Sequence, residues 1–287
     1  MTAVPELILT RTVADLREQV AALRNAGQRI GFVPTMGALH EGHLALVGEA
    51  RRRSDAVVAS VFVNPTQFAA HEDLGTYPRQ EARDAELLAG AGCSILFAPD
   101  AVEMYPPSFA TSVQVGGPSV GLETDFRPHF FSGVAVVVAK LLNQVQADVA
   151  VFGEKDYQQL MVVRRMARDL DIPTEIVGAP TVRDAHGLAL SSRNAYLSAE
   201  ELTVARRLNV VLREAADRAA TGEPVEAVEM AAAGALIESG FAKVDYVAIR
   251  YSETLAPFSG AVDASARILA AAWLGKTRLI DNMAVTA

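Results

Sequence analysis

The chain has 287 residues, 26 Lys+Arg against 34 Asp+Glu for a net charge of −8, and is 51% hydrophobic but only 21% charged. So apolar a composition excludes a disordered chain, and the acidic balance argues against a broad nucleic-acid surface. No apolar run approaches the ~18 residues of a membrane helix, no secretory leader is visible at the N-terminus, and the single cysteine, Cys93, rules out an intrachain disulfide or a Cys-rich zinc site. The expectation is a cytoplasmic globular protein of one large or two unequal domains, with neither nucleic acid nor membrane as partner.

In chain order, 29–33 reads as a strand that leads into the turn Pro34-Thr35-Met36-Gly37, and 40–53 carries helical spacing. Residues 56–63 form a β-branched strand stopped by Asn64-Pro65, 80–91 is helical, and 94–97 is a short strand. Segment 134–145 is apolar nearly all round and predicts a buried helix; 149–152 is a strand, 156–170 a helix and 174–177 a strand. Such alternation predicts an α/β domain, a doubly wound parallel sheet with helices on both faces. Beyond about 183 the texture changes to helices at 199–220 and 224–239, then strand runs at 243–250, 267–273 and 277–280. Helices followed by strands predict a smaller C-terminal α+β domain, so the expected division is 1–182 and 183–287.

Two of the five histidines stand together in Pro34-Thr35-Met36-Gly37-Ala38-Leu39-His40-Glu41-Gly42-His43, which ends the first strand and opens the first helix. Ligands of open α/β sheets sit beyond the carboxyl ends of the strands. A helix N-terminus there offers N–H groups and partial positive charge to phosphate. Three positions apart, both imidazoles can face one side, and Gly37 and Gly42 allow a ligand close to the backbone. An ordinary helix start, with one capping and one solvent-facing histidine, is the alternative; the pairing at this place favours phosphate contact. A His-Glu-x-x-His zinc site fails on spacing, and Gly275-Lys276-Thr277 lacks the earlier P-loop glycine, Ala270 standing there.

A second cluster, Phe152-Gly153-Glu154-Lys155-Asp156-Tyr157-Gln158-Gln159, follows another strand and holds one of only four lysines. An ammonium suits a phosphate oxygen, although Asp156 could equally cap a helix and Glu154 could pair with Lys155. The third, Gly187-Leu188-Ala189-Leu190-Ser191-Ser192-Arg193-Asn194, offers two hydroxyls and a guanidinium to phosphate, or ordinary turn and cap chemistry before the helix near Ser198. In Asn64-Pro65-Thr66-Gln67-Phe68, Gln67 is a polar contact for a small substrate, and Asn64-Pro65 reads as a turn.

Together and in this order, these segments resemble the pantoate–β-alanine ligase family of coenzyme A biosynthesis, over about 13–282. The His-x-x-His piece alone would indicate only the wider nucleotidyltransferase group. The resemblance implies a Rossmann-like, doubly wound N-terminal domain, a small C-terminal lid domain and a homodimer. It also implies ATP, pantoate and β-alanine as small-molecule substrates, Mg²⁺, and condensation through a pantoyl-adenylate to pantothenate, AMP and pyrophosphate. By position, Met36, Gly37, Ala38, Leu39, His40, Glu41, Gly42, His43, Gly153, Glu154, Lys155, Asp156, Val182, Leu190, Ser191, Ser192 and Arg193 would contact ATP. Of these His43, His40, Lys155, Arg193, Ser191 and Ser192 would carry the chemistry, His43 in the place of the family's proton donor. Gln67 and Gln159 would bind pantoate, Gln67 also meeting β-alanine, and Val134, Val137 and Val138 would line the pantoate pocket. Asp84 matches a carboxylate placed to help hold Mg²⁺. Where the family reads Arg-Pro-x-His-Phe, the histidine stands one position early, as His129, and is given no site role. The rival readings are another nucleotidylyltransferase of the same fold and a non-catalytic nucleotide-binding module.

Overall fold

The computed structural model describes residues 7–68, 73–75, 77–258 and 260–286. The elements run β1 (Ile8–Thr10), α1 (Val13–Asn25), β2 (Ile30–Thr35), α2 (Glu41–Arg53), β3 (Ala56–Val61), α3 (Glu81–Ala91), β4 (Ile95–Phe97), α4 (Ala101–Met104), α5 (Glu123–Phe126) and α6 (Phe130–Val145). There follow β5 (Val149–Gly153), α7 (Tyr157–Asp169), β6 (Glu175–Ala179), α8 (Ala199–Ala205), α9 (Arg207–Ala220), α10 (Val225–Glu238), β7 (Lys243–Tyr251), β8 (Ala266–Leu274) and β9 (Thr277–Val285). Two units form: Met1–Val115, Arg127–Glu154 and Val162–Pro180 make the first, and Gly116–Phe126, Lys155–Met161 and Thr181–Ala287 the second. Residues 116–126 and 155–161, together with 181–182, therefore group with the C-terminal ones.

The first unit is built on a parallel six-stranded sheet in the order β1-β4-β3-β2-β5-β6, as the strand–helix alternation predicts. Its strands are apolar on both faces because helices cover both. Val33, Val57, Ala59, Leu96, Val149 and Val151 pack with Val47 and Ala50 of α2 and Leu88 of α3. Cys93 is fully buried in that cluster. Burial pushes its thiol up to about 12, so it packs as a small hydrophobe and supplies no nucleophile. β1 and α1, absent from the sequence-based reading, are a three-residue edge strand and a helix capped by Thr12 that buries only Leu16 and Val20.

Chain order reverses at β2: β3 and β4 lie to one side of it, β5 and β6 to the other. β2 pairs with β3 as far as Thr35↔Val61 but with β5 only at Gly31 and Phe32. The two central strands thus part before their carboxyl ends. Pro34, which lacks a ladder donor, falls in the stretch with no β5 partner, where a proline costs least. That opening, between the ends of β2 and β5, is the switch-point crevice of a doubly wound sheet.

α6 begins at Phe130, four residues before the sequence-based start, and is buried at twelve of its sixteen positions. Gly133 lets it approach a neighbouring turn: a Cβ there would lie 2.4 Å from the Thr66 carbonyl oxygen.

The second unit contains the antiparallel sheet β7-β8-β9 and the helices α8, α9 and α10, around a core that includes Leu208, Leu212, Val228, Leu236, Ile249 and Ile268. The helix expected over 199–220 is two helices meeting at Arg206, whose Nε donates to Asp184 Oδ2 at 3.2 Å. β9 runs five residues past its expected end, because the polar pair Asp281-Asn282 breaks the apolar pattern yet is buried with partners. Arg183 grips Asp281 through both carboxylate oxygens at 2.6 and 2.8 Å. Gly275-Lys276 is the two-residue turn between β8 and β9, Leu274 pairing with Thr277. Among the described residues no helix is long and apolar enough to cross a membrane.

Candidate active site

The chain leaves β2 through two successive left-handed residues, Gly37 at φ 83° and Ala38 at φ 53°. A side chain at Gly37 would lie 2.9 Å from Asp84 Oδ2 and 3.1 Å from Val61 Cγ1, so only glycine fits. Thr35 Oγ1 donates to the Ser60 carbonyl at 2.7 Å and accepts from Gly37 N at 3.2 Å. Asp84, in the first turn of α3 and fully buried, accepts from Ala38 N at 3.0 Å and from Leu39 N at 2.8 Å.

His40 is the N-cap of α2, and its Nδ1 accepts from Gly42 N at 3.1 Å. His43 Nδ1 accepts in turn from His40 N at 3.3 Å, and the ring centroids lie 4.2 Å apart. With Nδ1 accepting on both rings, each neutral imidazole carries its proton on Nε2. The sequence suggests that the helix's own N–H groups would serve phosphate. In the structure the imidazoles themselves take up the N–H groups of Gly42 and His40 through Nδ1.

Gln67 follows from a residue that reads in sequence as a mere turn. Asn64 is 1% exposed. Its Oδ1 accepts from Thr66 N (3.3 Å), Thr66 Oγ1 (3.0 Å) and Tyr105 Oη (2.9 Å), and its Nδ2 donates to Gln67 Oε1 and to the Gly133 carbonyl, both at 3.1 Å. Gln67 Nε2 reaches Met36 Sδ at 2.9 Å. Asn64 thus ties Gln67 and Met36 to α6, where Val134, Val137 and Val138 are all buried. Tyr105 and Gly133 were given no role from sequence, and Asn64, which caps the expected turn, also makes these long-range contacts. Gly133 stands one residue before the helix predicted over 134–145, and only the earlier start of α6 puts it inside a helix. Gly153 and Glu154 stand at the carboxyl end of β5, beside the same switch point.

The remaining candidates belong to the second unit. Lys155 has its ammonium 3.7 Å from Asp156 Oδ2, and its carbonyl accepts from Asn282 Nδ2 of β9 at 2.8 Å. Arg267 Nε donates to Asn282 Oδ1 at 2.6 Å, which fixes the amide's orientation, and the Arg267 guanidinium lies 3.8 Å over the Tyr157 ring. Gln158 and Gln159 separate in role. Gln158 is buried and clamps a turn, accepting from Glu123 N and donating to the Pro118 and Gly121 carbonyls, whereas Gln159 is half-buried. Val182 and Leu190 are joined by a backbone hydrogen bond of 2.9 Å. Ser191 caps the short turn Ser192–Tyr196, its Oγ accepting from Arg193 N at 3.3 Å.

Mg²⁺ finds no ready ligand set. Among the described residues no three His, Cys, Asp or Glu side chains cluster to hold an ion, and both oxygens of Asp84 already accept backbone N–H groups.

A doubly wound parallel sheet with paired imidazoles at its switch point is the architecture of a nucleotide-binding α/β enzyme. The family model described as pantoate-beta-alanine ligase matches residues 8–284. A pantothenate synthetase of Caulobacter vibrioides is 62% identical over 280 residues, 97% of this chain and 98% of that protein. The crystal structure of pantothenate synthetase from Thermus thermophilus superposes with a TM-score of 0.91 at 51% identity, covering 98% of this chain and all of that one. A pantoate-beta-alanine ligase from Francisella tularensis, solved with beta-gamma ATP and β-alanine, gives 0.80 at 33% identity over 98% and 99% of the two chains. The chain belongs to the pantoate–β-alanine ligase family.

Proposed function

We propose that this chain performs its family's ligation in two steps. In the first, a carboxylate oxygen of pantoate attacks the α-phosphorus of ATP, the bond to the bridging oxygen breaks, and pyrophosphate leaves. In the second, the amine of β-alanine attacks the carbonyl of the pantoyl-adenylate, loses a proton and expels AMP, which leaves the amide of pantothenate. The observation that carries this reading is the pair of Nδ1-anchored imidazoles at the carboxyl end of β2 in a chain of this family.

Both partners in the first step are anions, so the protein's task is to offset repulsion and to stabilise charge on the departing oxygens. His40 and His43 do so through Nε2–H. A neutral imidazole held at Nδ1 gives a hydrogen bond more readily than a proton, so His43 acts as the donor to a phosphate oxygen. Lys155 and Arg193 add positive charge, and Ser191 and Ser192 add hydroxyl donors. Met36, Gly37, Ala38, Leu39, Glu41, Gly42, Gly153, Glu154, Asp156, Val182 and Leu190 border the nucleotide. Gln67 and Gln159 hold pantoate, Gln67 also meets β-alanine, and Val134, Val137 and Val138 give pantoate its apolar wall. Mg²⁺ enters as part of the substrate, bound to the phosphates of ATP and keeping most of its waters. The resemblance further supports a homodimer, a C-terminal lid and a cytoplasmic location.

Pyrophosphate release from MgATP, with pantoate and β-alanine each present or omitted, tests the scheme. One equivalent per enzyme with pantoate alone, turning continuous on addition of β-alanine, is the expected result. Continuous release with pantoate alone would point to another acceptor. Lys155→Ala should lower release by ~10²–10³ with folding intact, the usual cost of one preorganised donor; wild-type turnover would remove the lysine from the mechanism.

A further inference from the structure

Among the described residues Asp84 is the buried carboxylate that holds the histidine loop, and the ligation scheme leaves it without a part. We propose that it is a positioning residue, which holds the strained turn before α2 and so aims His40 and His43, and that it does not ligate Mg²⁺. The proposal rests on the nucleotide reading of that loop.

Three observations bear on it. First, the turn is unfavourable by itself: Ala38 has φ 53° directly after Gly37 at 83°, and an L-residue with a Cβ is disfavoured in the left-handed region. Second, that backbone aims two successive N–H groups into one concavity, the arrangement that elsewhere binds an anion. Here the anion is internal. Asp84 sends one oxygen to Ala38 N at 3.0 Å and the other to Leu39 N at 2.8 Å, from a site 1% exposed. Third, Leu39 is followed at once by His40, the cap of α2, whose backbone N–H is held by His43. Any shift in the 37–39 backbone therefore moves both imidazoles together. A carboxylate with both oxygens so engaged and no water exposure is poorly placed to give a lone pair to an ion that demands octahedral geometry and keeps its waters.

The wild-type enzyme offers a test that needs no variant. Hydrogen exchange at the Ala38 and Leu39 amides, with and without Mg²⁺ alone, should show both protected and neither altered by the metal. Fast exchange of either amide, or exchange accelerated by Mg²⁺, overturns the proposal. Asp84→Asn keeps the size but turns a donor toward one of the two N–H groups. It should lower kcat/KM for ATP by ~10²-fold, the effect of small misplacement of catalytic groups, and leave the Mg²⁺ concentration for half-maximal rate unchanged. In a His43→Ala background the same change should cost little further, because it acts through the histidines. A tenfold shift in the Mg²⁺ requirement, or fully additive losses, sinks it. A wild-type rate for His43→Ala alone has a separate signature: it removes the nucleotide reading of the loop, and with it the histidine through which Asp84 would act.

Discussion

At most helix starts a hydroxyl or carboxylate caps the first turn; at α2 two imidazoles do so for each other. In the proposed reaction the same ring both closes the helix and presents a donor, and the two tasks can be separated. His43→Ala removes both, and should destabilise the fold by about 1 kcal/mol, a typical cap loss, while lowering pyrophosphate release by ~10²–10³. His43→Gln places an amide where a capping box ordinarily has one. It should regain the melting temperature and leave the rate low; recovery of the rate as well would reduce His43 to a cap. This pair was legible in the sequence because its partners lie within three residues of each other. Asp84 was legible as a carboxylate and not as a clamp, since its two partners lie more than forty positions away. The turn at Asn64-Pro65 stands as the sequence has it, with Asn64 as its cap; what local sequence hides is its contact with the Gly133 carbonyl, which joins two segments 69 residues apart.

Elements declare themselves through periodicity, and so the buried parallel strands and α2, α3 and α7 stand within a few residues of where the pattern puts them. What periodicity hides is the irregular residue inside an element. β7 reads as a plain strand, yet its register against β8 slips between Val244 and Tyr246, which leaves Asp245 as the extra residue of a bulge. The bulge turns its carboxylate inward to accept from Trp273 Nε1 on β8 at 2.9 Å and Arg278 Nε on β9 at 2.7 Å, with Lys243 Nζ at 2.8 Å. Burial by itself would raise the carboxyl's pKa, but the hydrogen bonds from Arg278, Lys243 and Trp273 outweigh it and the pKa is lowered. A depressed folded-state pKa means stability that is present above the ordinary value of 3.8 and is lost as pH falls through the folded one. Thermal melts should accordingly show a steep loss below about pH 4 in the wild type. Asp245→Asn should cost about 2 kcal/mol at neutral pH, the loss of charged hydrogen bonds to an Arg278 that still keeps Glu123, and should flatten the acid loss. An equally steep acid limb in the variant would assign it to other carboxylates.

At the scale of the whole chain, the change of texture near 183 marks the start of the second unit's main stretch, and the two short segments 116–126 and 155–161 join it through contacts no local pattern encodes. Glu123 pairs with Arg278 at 2.8 Å and accepts from Tyr246 Oη at 2.8 Å. Lys155, read in sequence as part of a helix opening, has its carbonyl held by Asn282 of β9, which Arg267 of β8 holds in turn. The backbone of Lys155, the lysine proposed above to meet phosphate, is thus set by β9, 127 residues further on. Asn282→Asp is the informative change. It keeps an acceptor for Arg267, so the sheet should fold, but it replaces the donor with an oxygen facing the Lys155 carbonyl. The backbone at 155 should shift and KM for ATP should rise about tenfold, some 1.4 kcal/mol, with KM for pantoate unchanged. In a Lys155→Ala background the rise should vanish, because nothing remains for Asn282 to position. Equal rises in both KM values, or a loss that persists without the lysine, would make Asn282 a residue of the fold alone.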